Sequence, residues 1–128
     1  MFRVEVKLDD IQSLNDRLAQ LAKGEFERLL DELAGNIAKT FLSIVTGRTP
    51  VDTGFLRGNW DIKRTPDGYL VYNTTVYGIY VNYGHRTRNG GWIEGQFFVE
   101  KSVKTTEENI IPIVKESLIK PLERYLNG

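Results

Sequence analysis

Apolar and polar positions change rhythm several times along this chain, and each change marks an element. Phe2, Val4 and Val6 alternate with Arg3, Glu5 and Lys7, the period-two pattern of a short strand. Asp9 or Asp10 then offers an N-cap, followed by a helical stripe of Ile11, Leu14, Leu18 and Leu21. Gly24 predicts an interruption. A second helix is expected from Glu25 to Gly47, because Phe26, Leu30, Leu33, Ile37, Phe41 and Ile44 recur three or four residues apart. Pro50 disfavours helical angles at Thr49 and should end it. Period two returns with Gly58, Trp60 and Ile62 against Asn59, Asp61 and Lys63. Thr65-Pro66-Asp67-Gly68 predicts a turn, since Pro presets φ and Gly accepts unusual angles. Tyr69 to Asn73 is the returning strand, and Val76 to Tyr83, rich in Tyr, Val and Ile, is expected to extend the sheet.

Gly84 to Gly95 carries four glycines among His85, Arg86, Arg88 and Asn89, and is expected to form a mobile basic loop. From Phe97 to Leu126 the pattern is helical again, with Val99, Val103, Ile110, Val114, Leu118 and Leu122 on the expected buried side. Pro112 and Pro121 each remove a backbone donor, so this helix should be kinked or split there. The fold class implied is α+β: a small antiparallel sheet packed against N-terminal helices and a long, kinked C-terminal helix. One domain spanning residues 1–128 is expected, since no repeat or linker divides the chain.

Composition narrows function mainly by exclusion. Seventeen basic residues balance seventeen acidic ones, which removes any whole-molecule attraction to nucleic acid and favours self-association. Without cysteine there is no disulfide, thiolate metal site or cysteine nucleophile. No apolar run approaches the length of a membrane span, and the N-terminus does not read as a signal peptide. His85 is the sole histidine, no Gly-x-Ser-x-Gly elbow accompanies it, and a surface histidine is the plainer reading. The adjacent acids Asp9-Asp10, Asp31-Glu32 and Glu107-Glu108 read as caps and dipole partners rather than metal ligands. Catalytic, cofactor and metal residues are therefore expected to be none. Arg86 and Arg88 beside Trp92 are compatible with three readings: a solvated hairpin loop, a segment that orders against a neighbouring subunit, or a grip on a single nucleic-acid strand. Tyr and Trp crowd residues 60–92, which favours a sheet covered partly by another protein.

Two segments carry a family resemblance. Thr49-Pro50-Val51-Asp52-Thr53-Gly54-Phe55-Leu56-Arg57, followed by Tyr77-Gly78-Ile79-Tyr80-Val81-Asn82-Tyr83-Gly84, resembles the tailed-phage and prophage neck and minor tail-component family. Pro50, Asp52, Thr53, Gly54, Leu56, Arg57, Tyr80, Tyr83 and Gly84 are the signature positions, with Gly95-Gln96-Phe97-Phe98 as a later landmark. The resemblance implies a non-enzymatic structural protein without cofactor, acting at the head–tail joint or the head-proximal tail end. Its implied partners are other neck and tail proteins and further copies of itself in a ring, the free chain being compatible with a monomer. Its implied place is the virion, reached from the host cytoplasm during assembly. The alternative is a nucleic-acid-binding module using Arg86, Arg88 and Trp92.

Overall fold

A computed structural model describes residues 8–51 and 56–127. The expected strand at Phe2–Val6 and the turn residues Asp52, Thr53 and Gly54 lie outside them. One helix, α1 (Leu8–Arg48), replaces the two helices expected around Gly24. Glycine costs a helix only about 1 kcal/mol relative to alanine, which good helix formers on both sides outweigh. At about 1.5 Å per residue, α1 is roughly 60 Å long.

After α1 a short 3-10 turn (Arg57–Asn59) leads into a hairpin of β1 (Trp60–Thr65) and β2 (Gly68–Asn73). The register pairs Trp60 with Asn73 and Thr65 with Gly68, so Pro66 and Asp67 alone make the connection. This turn and both strands match the sequence pattern. The hairpin lies along α1 and is pinned at several places. At one end Trp60 Nε1 donates to Thr49 Oγ1 at 2.7 Å, and the buried Thr49 hydroxyl returns to Val45 O. At the other, Arg64 pairs with Asp31 at 2.6 Å, and the Tyr69 ring lies against Gly35, where a Cβ would stand 3.2 Å from it.

The segment expected to extend the sheet is instead helix α2 (Tyr77–Tyr83). Asn73 ends β2 by accepting bonds from Thr75 N and Oγ1 through its side-chain oxygen. Helical spacing then turns Gly78, Val81 and Asn82 inward together, which a strand would not do. A second hairpin follows, β3 (Gly84–Arg86) with β4 (Trp92–Glu94), in the stretch expected to be a loop.

The C-terminal segment breaks where its prolines dictate. Helix α3 (Phe98–Glu108) ends at Asn109, because Pro112 cannot donate to the carbonyl of residue 108. Helix α4 (Ile110–Val114) passes into a π-helical stretch (Lys115–Ile119) before α5 (Lys120–Asn127). Pro121 likewise has no proton for Ser117 O, and widening to the i−5 bond of Lys120 N–H to Lys115 O accommodates the missing donor.

The core joins α1, the turn and α3 through Val45, Leu56 and Phe98, flanked by Phe41, Trp60, Val81 and Val99. Trp60 and Phe98 meet edge to face, ring centroids 6.5 Å apart. The buried side of α3 keeps only part of the expected valine stripe: Val99 packs against the core but Val103 is exposed, while Phe98, Ser102 and Thr106 are buried. The small side chains of Ser102 and Thr106 suit a close helix approach, and each hydroxyl donates to the carbonyl four residues earlier. Farther along, Asn36 Nδ2 donates to Ser117 Oγ at 2.8 Å. At roughly 100° per residue, the hairpin-facing residues of α1, Asp31 and Gly35, and Asn36 point to different sides of the helix. The expected apolar stripe sits between these two faces, which leaves Phe26 and Leu30 exposed.

Candidate interaction surface

Asn82 organises the surface around α2. It is 2% exposed and uses both ends of its amide. Its Oδ1 accepts from Val99 N–H at 3.0 Å, and its Nδ2 donates to both Glu100 carboxylate oxygens at 3.0 and 2.9 Å. Its backbone carbonyl accepts from Phe97 N–H. Phe97 precedes α3 in the left-handed region, φ 50°, and gives no side-chain cap. Asn82 therefore caps α3 from another helix, satisfying first-turn donors that would otherwise lack a partner.

The turn into β3 needs two glycines. At Gly84, φ +88°, a Cβ would meet Ile93 O at 2.6 Å, and at Gly95 it would meet Asn82 O at 2.3 Å. Backbone therefore lies directly on backbone where β4 leaves the hairpin and passes the end of α2. Thr87 closes the hairpin tip: its N–H bonds Gly91 O, and its hydroxyl accepts from Gly91 N–H at 2.9 Å.

With Gly78, Val81 and Asn82 turned inward, the outward face of α2 is apolar. Val76, Tyr77, Ile79, Tyr80 and Tyr83 are exposed there, and Trp92, Ile93 and Phe97 are exposed beside them. Tyr83 and Phe97 meet edge to face at 6.3 Å, and Tyr80 meets His85 at 5.9 Å. A cavity of about 280 Å³ opens here, lined by Pro50, Leu56, Tyr77, Tyr80, Val81, His85, Ile93, Glu94 and Gln96. A second, of about 240 Å³, lies between Leu56, Trp60, Tyr72, Ile79 and Phe98. His85 is half-buried rather than a surface residue, and its Nδ1 is enclosed without a hydrogen-bond partner.

The two signature segments, separated in sequence, come together at this surface. Pro50 and Leu56 share the first cavity with Tyr80, while Gly84 and Tyr83 lie at the adjoining turn. Arg57 serves the end of α1: its guanidinium donates to Thr46 O at 2.8 Å and Gly47 O at 2.6 Å, carbonyls of the last turn that lack a helical partner four residues on. Arg86 stands opposite Trp92 in the second hairpin, and Arg88 is exposed at its tip. Asn82, Gly95 and the αL residue Phe97 escaped the sequence reading as a linked set. A polar residue within an apolar run was their one available signal.

Glu100 is held ionised by these contacts. Burial alone pushes its carboxyl pKa up, but bonds from its own backbone N–H and from the Asn82 and Tyr83 side chains bring it below the ordinary value. Among the described residues no three His, Cys, Asp or Glu side chains converge as a metal site, and no helix is long and apolar enough to cross a membrane.

A family model described as "Bacteriophage HK97-gp10, putative tail-component" matches residues 12–84, more than half of the chain. No curated protein and no solved structure matches it.

Proposed function

We propose a function on the premise that this chain belongs to the HK97-gp10-like family of bacteriophage tail components. It is a structural subunit of the neck, at the head–tail joint or head-proximal tail end, and acts through protein–protein contacts without catalysis. The observation that carries this reading is the apolar face of α2 and the second hairpin. Monomeric proteins rarely expose contiguous apolar patches of this kind unless a partner covers them. Its Tyr and Trp content suits interface anchors. The partners are other neck and tail proteins and further copies of this chain, arranged as a ring in the virion after assembly in the host cytoplasm.

Arg86, Arg88 and Trp92 form the contact loop, and residues 84–95 are mobile in the free chain and become fixed against a neighbour. Placement of Arg86 across from the exposed Trp92 also suits a single nucleic-acid strand held by charge and stacking. Zero net charge and so few cations weigh against that rival.

Deleting the gene and viewing induced particles by negative-stain electron microscopy tests the assignment. Filled heads separated from unattached or malformed tails are expected. Intact infectious particles would overturn it.

A further inference from the structure

The cavity beside α2 is furnished for a positively charged side chain that its own chain does not supply. Tyr77 and Tyr80 stand on its lining, and phenol rings attract a cation at their faces. Glu94 lines it too, and makes no ion pair among the described residues. His85 adds the enclosed Nδ1, which can accept from an N–H when the ring proton sits on Nε2. Buried polar atoms seldom stay without a partner. Among the described residues no Lys or Arg lines the cavity. At about 280 Å³ it falls just below the range of small-molecule pockets, roughly 300–1,000 Å³, and suits a single side chain.

A matching cation stands on the same hairpin. Arg88 is exposed at the tip, beyond the pair Arg86–Trp92, with no hydrogen bond or ion pair among the described residues. It does not fill the cavity of its own chain. The base of the hairpin, at His85, Ile93 and Glu94, forms the lining, and the strand leads away from it. At ~3.3 Å per residue, Arg88 lies about 10 Å past His85. Arg86, one step closer, falls on the face opposite His85, because successive strand residues alternate.

On the assembly reading above, we infer that Arg88 of one copy seats in the Tyr77–Tyr80–Glu94 cavity of a second copy. Its guanidinium lies against the tyrosine rings, pairs with the Glu94 carboxylate and donates to His85 Nδ1. A chain with balanced charge attracts its own copies in this way, wherever opposite local charges face each other.

Arg88→Lys keeps the charge and supplies an amine, which a carbodiimide couples to a carboxylate in direct contact. Purified particles of this variant are expected to yield a covalent dimer whose digest links positions 88 and 94. Adding Glu94→Gln should remove the link. Charge reversal gives a second readout. Arg88→Glu and Glu94→Arg should each deplete the protein from particles at least about 10-fold, and together should restore most of it. Both positions are exposed, so every variant should melt normally as the free chain. A link confined to the monomer band would overturn the inference, as would a link to a protein of different mass or a double reversal without recovery. Joined particles with no link would overturn it and leave the assembly reading intact. Joined particles after gene deletion would sink the assembly reading itself.

Discussion

Single residues set the geometry of the surface, and two glycines show opposite sides of the same rule. At Gly95 an added Cβ would meet three backbone atoms within 2.7 Å, Asn82 O, Tyr83 C and Gly84 N, so no flexible side chain can swing aside. Gly95→Ala should lower stability by more than about 2 kcal/mol. Gly24 has open space around its Cβ position within α1, and Gly24→Ala should raise stability by about 0.5–1 kcal/mol. Chemical denaturation of both variants checks the pair, and equal effects would contradict the close approach at Gly95. Asn82→Ala removes the cap of α3 and two donations to Glu100, and is expected to cost roughly 2–3 kcal/mol. The same contact gives a pH signature. Because the folded Glu100 carboxyl titrates below its unfolded value, its contribution is complete above the unfolded carboxylate pKa, about 4.3. It is lost as pH falls through the folded value. Melting temperatures from pH 6 to pH 3 should fall more steeply for the natural chain than for Glu100→Gln. Parallel curves would show that Glu100 adds nothing to acid sensitivity.

Elements differ in how far the sequence announces them, and the difference follows the range of the deciding contacts. The β1–β2 hairpin was legible because strict alternation and Pro66-Asp67-Gly68 act within a few residues. The C-terminal breaks were legible for the same reason, displaced toward the N-terminus because a proline acts on the carbonyl four residues before it. The helix α2 was not legible. Its Tyr, Val and Ile favour a strand, and the contacts that overrule this preference are distant: Gly78 lies on Leu56, and Asn82 reaches Val99 and Glu100. Of the candidate surface, the signature residues were visible through family resemblance, but the meeting of Pro50, Leu56 and Tyr80 at one cavity depends on α2 being a helix. The second hairpin was hidden by its glycines, which read as a loop although Gly84 is required by backbone contact. That hairpin offers a test of its own. Trypsin should cut the free chain after Arg86 or Arg88 at least about 10-fold faster than the same chain within particles, because opening of an exposed three-residue strand pair requires little free energy. Equal rates would count against ordering of this hairpin by a neighbour.

On the scale of the molecule, the chain covers its own apolar side chains poorly. Among the described residues four large hydrophobic side chains are buried and seventeen are exposed. It presents 9890 Å² of surface, against roughly 6900 Å² expected for a compact monomer of its mass. The excess is of the order of what several standard contacts bury, at about 800 Å² per partner. A long helix flanked by a hairpin and a broken C-terminal helix thus suits a subunit completed by its neighbours. The prediction follows that stability and assembly can be separated by substitution. Val76 and Ile79 are among the most exposed apolar residues of the candidate surface, at 67% and 60%. Serine at both should leave the melting temperature within about 2 °C, since exposed substitutions seldom exceed about 0.5 kcal/mol, and serine suits the position preceding α2. The double variant should nevertheless be at least about 10-fold depleted from purified particles, as judged by immunoblot, because a well-packed apolar contact is worth more than 1.4 kcal/mol at an interface. A variant that melts normally and enters particles at the natural level would show that this face is not the one the assembly covers. Loss of both folding and incorporation would instead assign these side chains to the subunit's own packing.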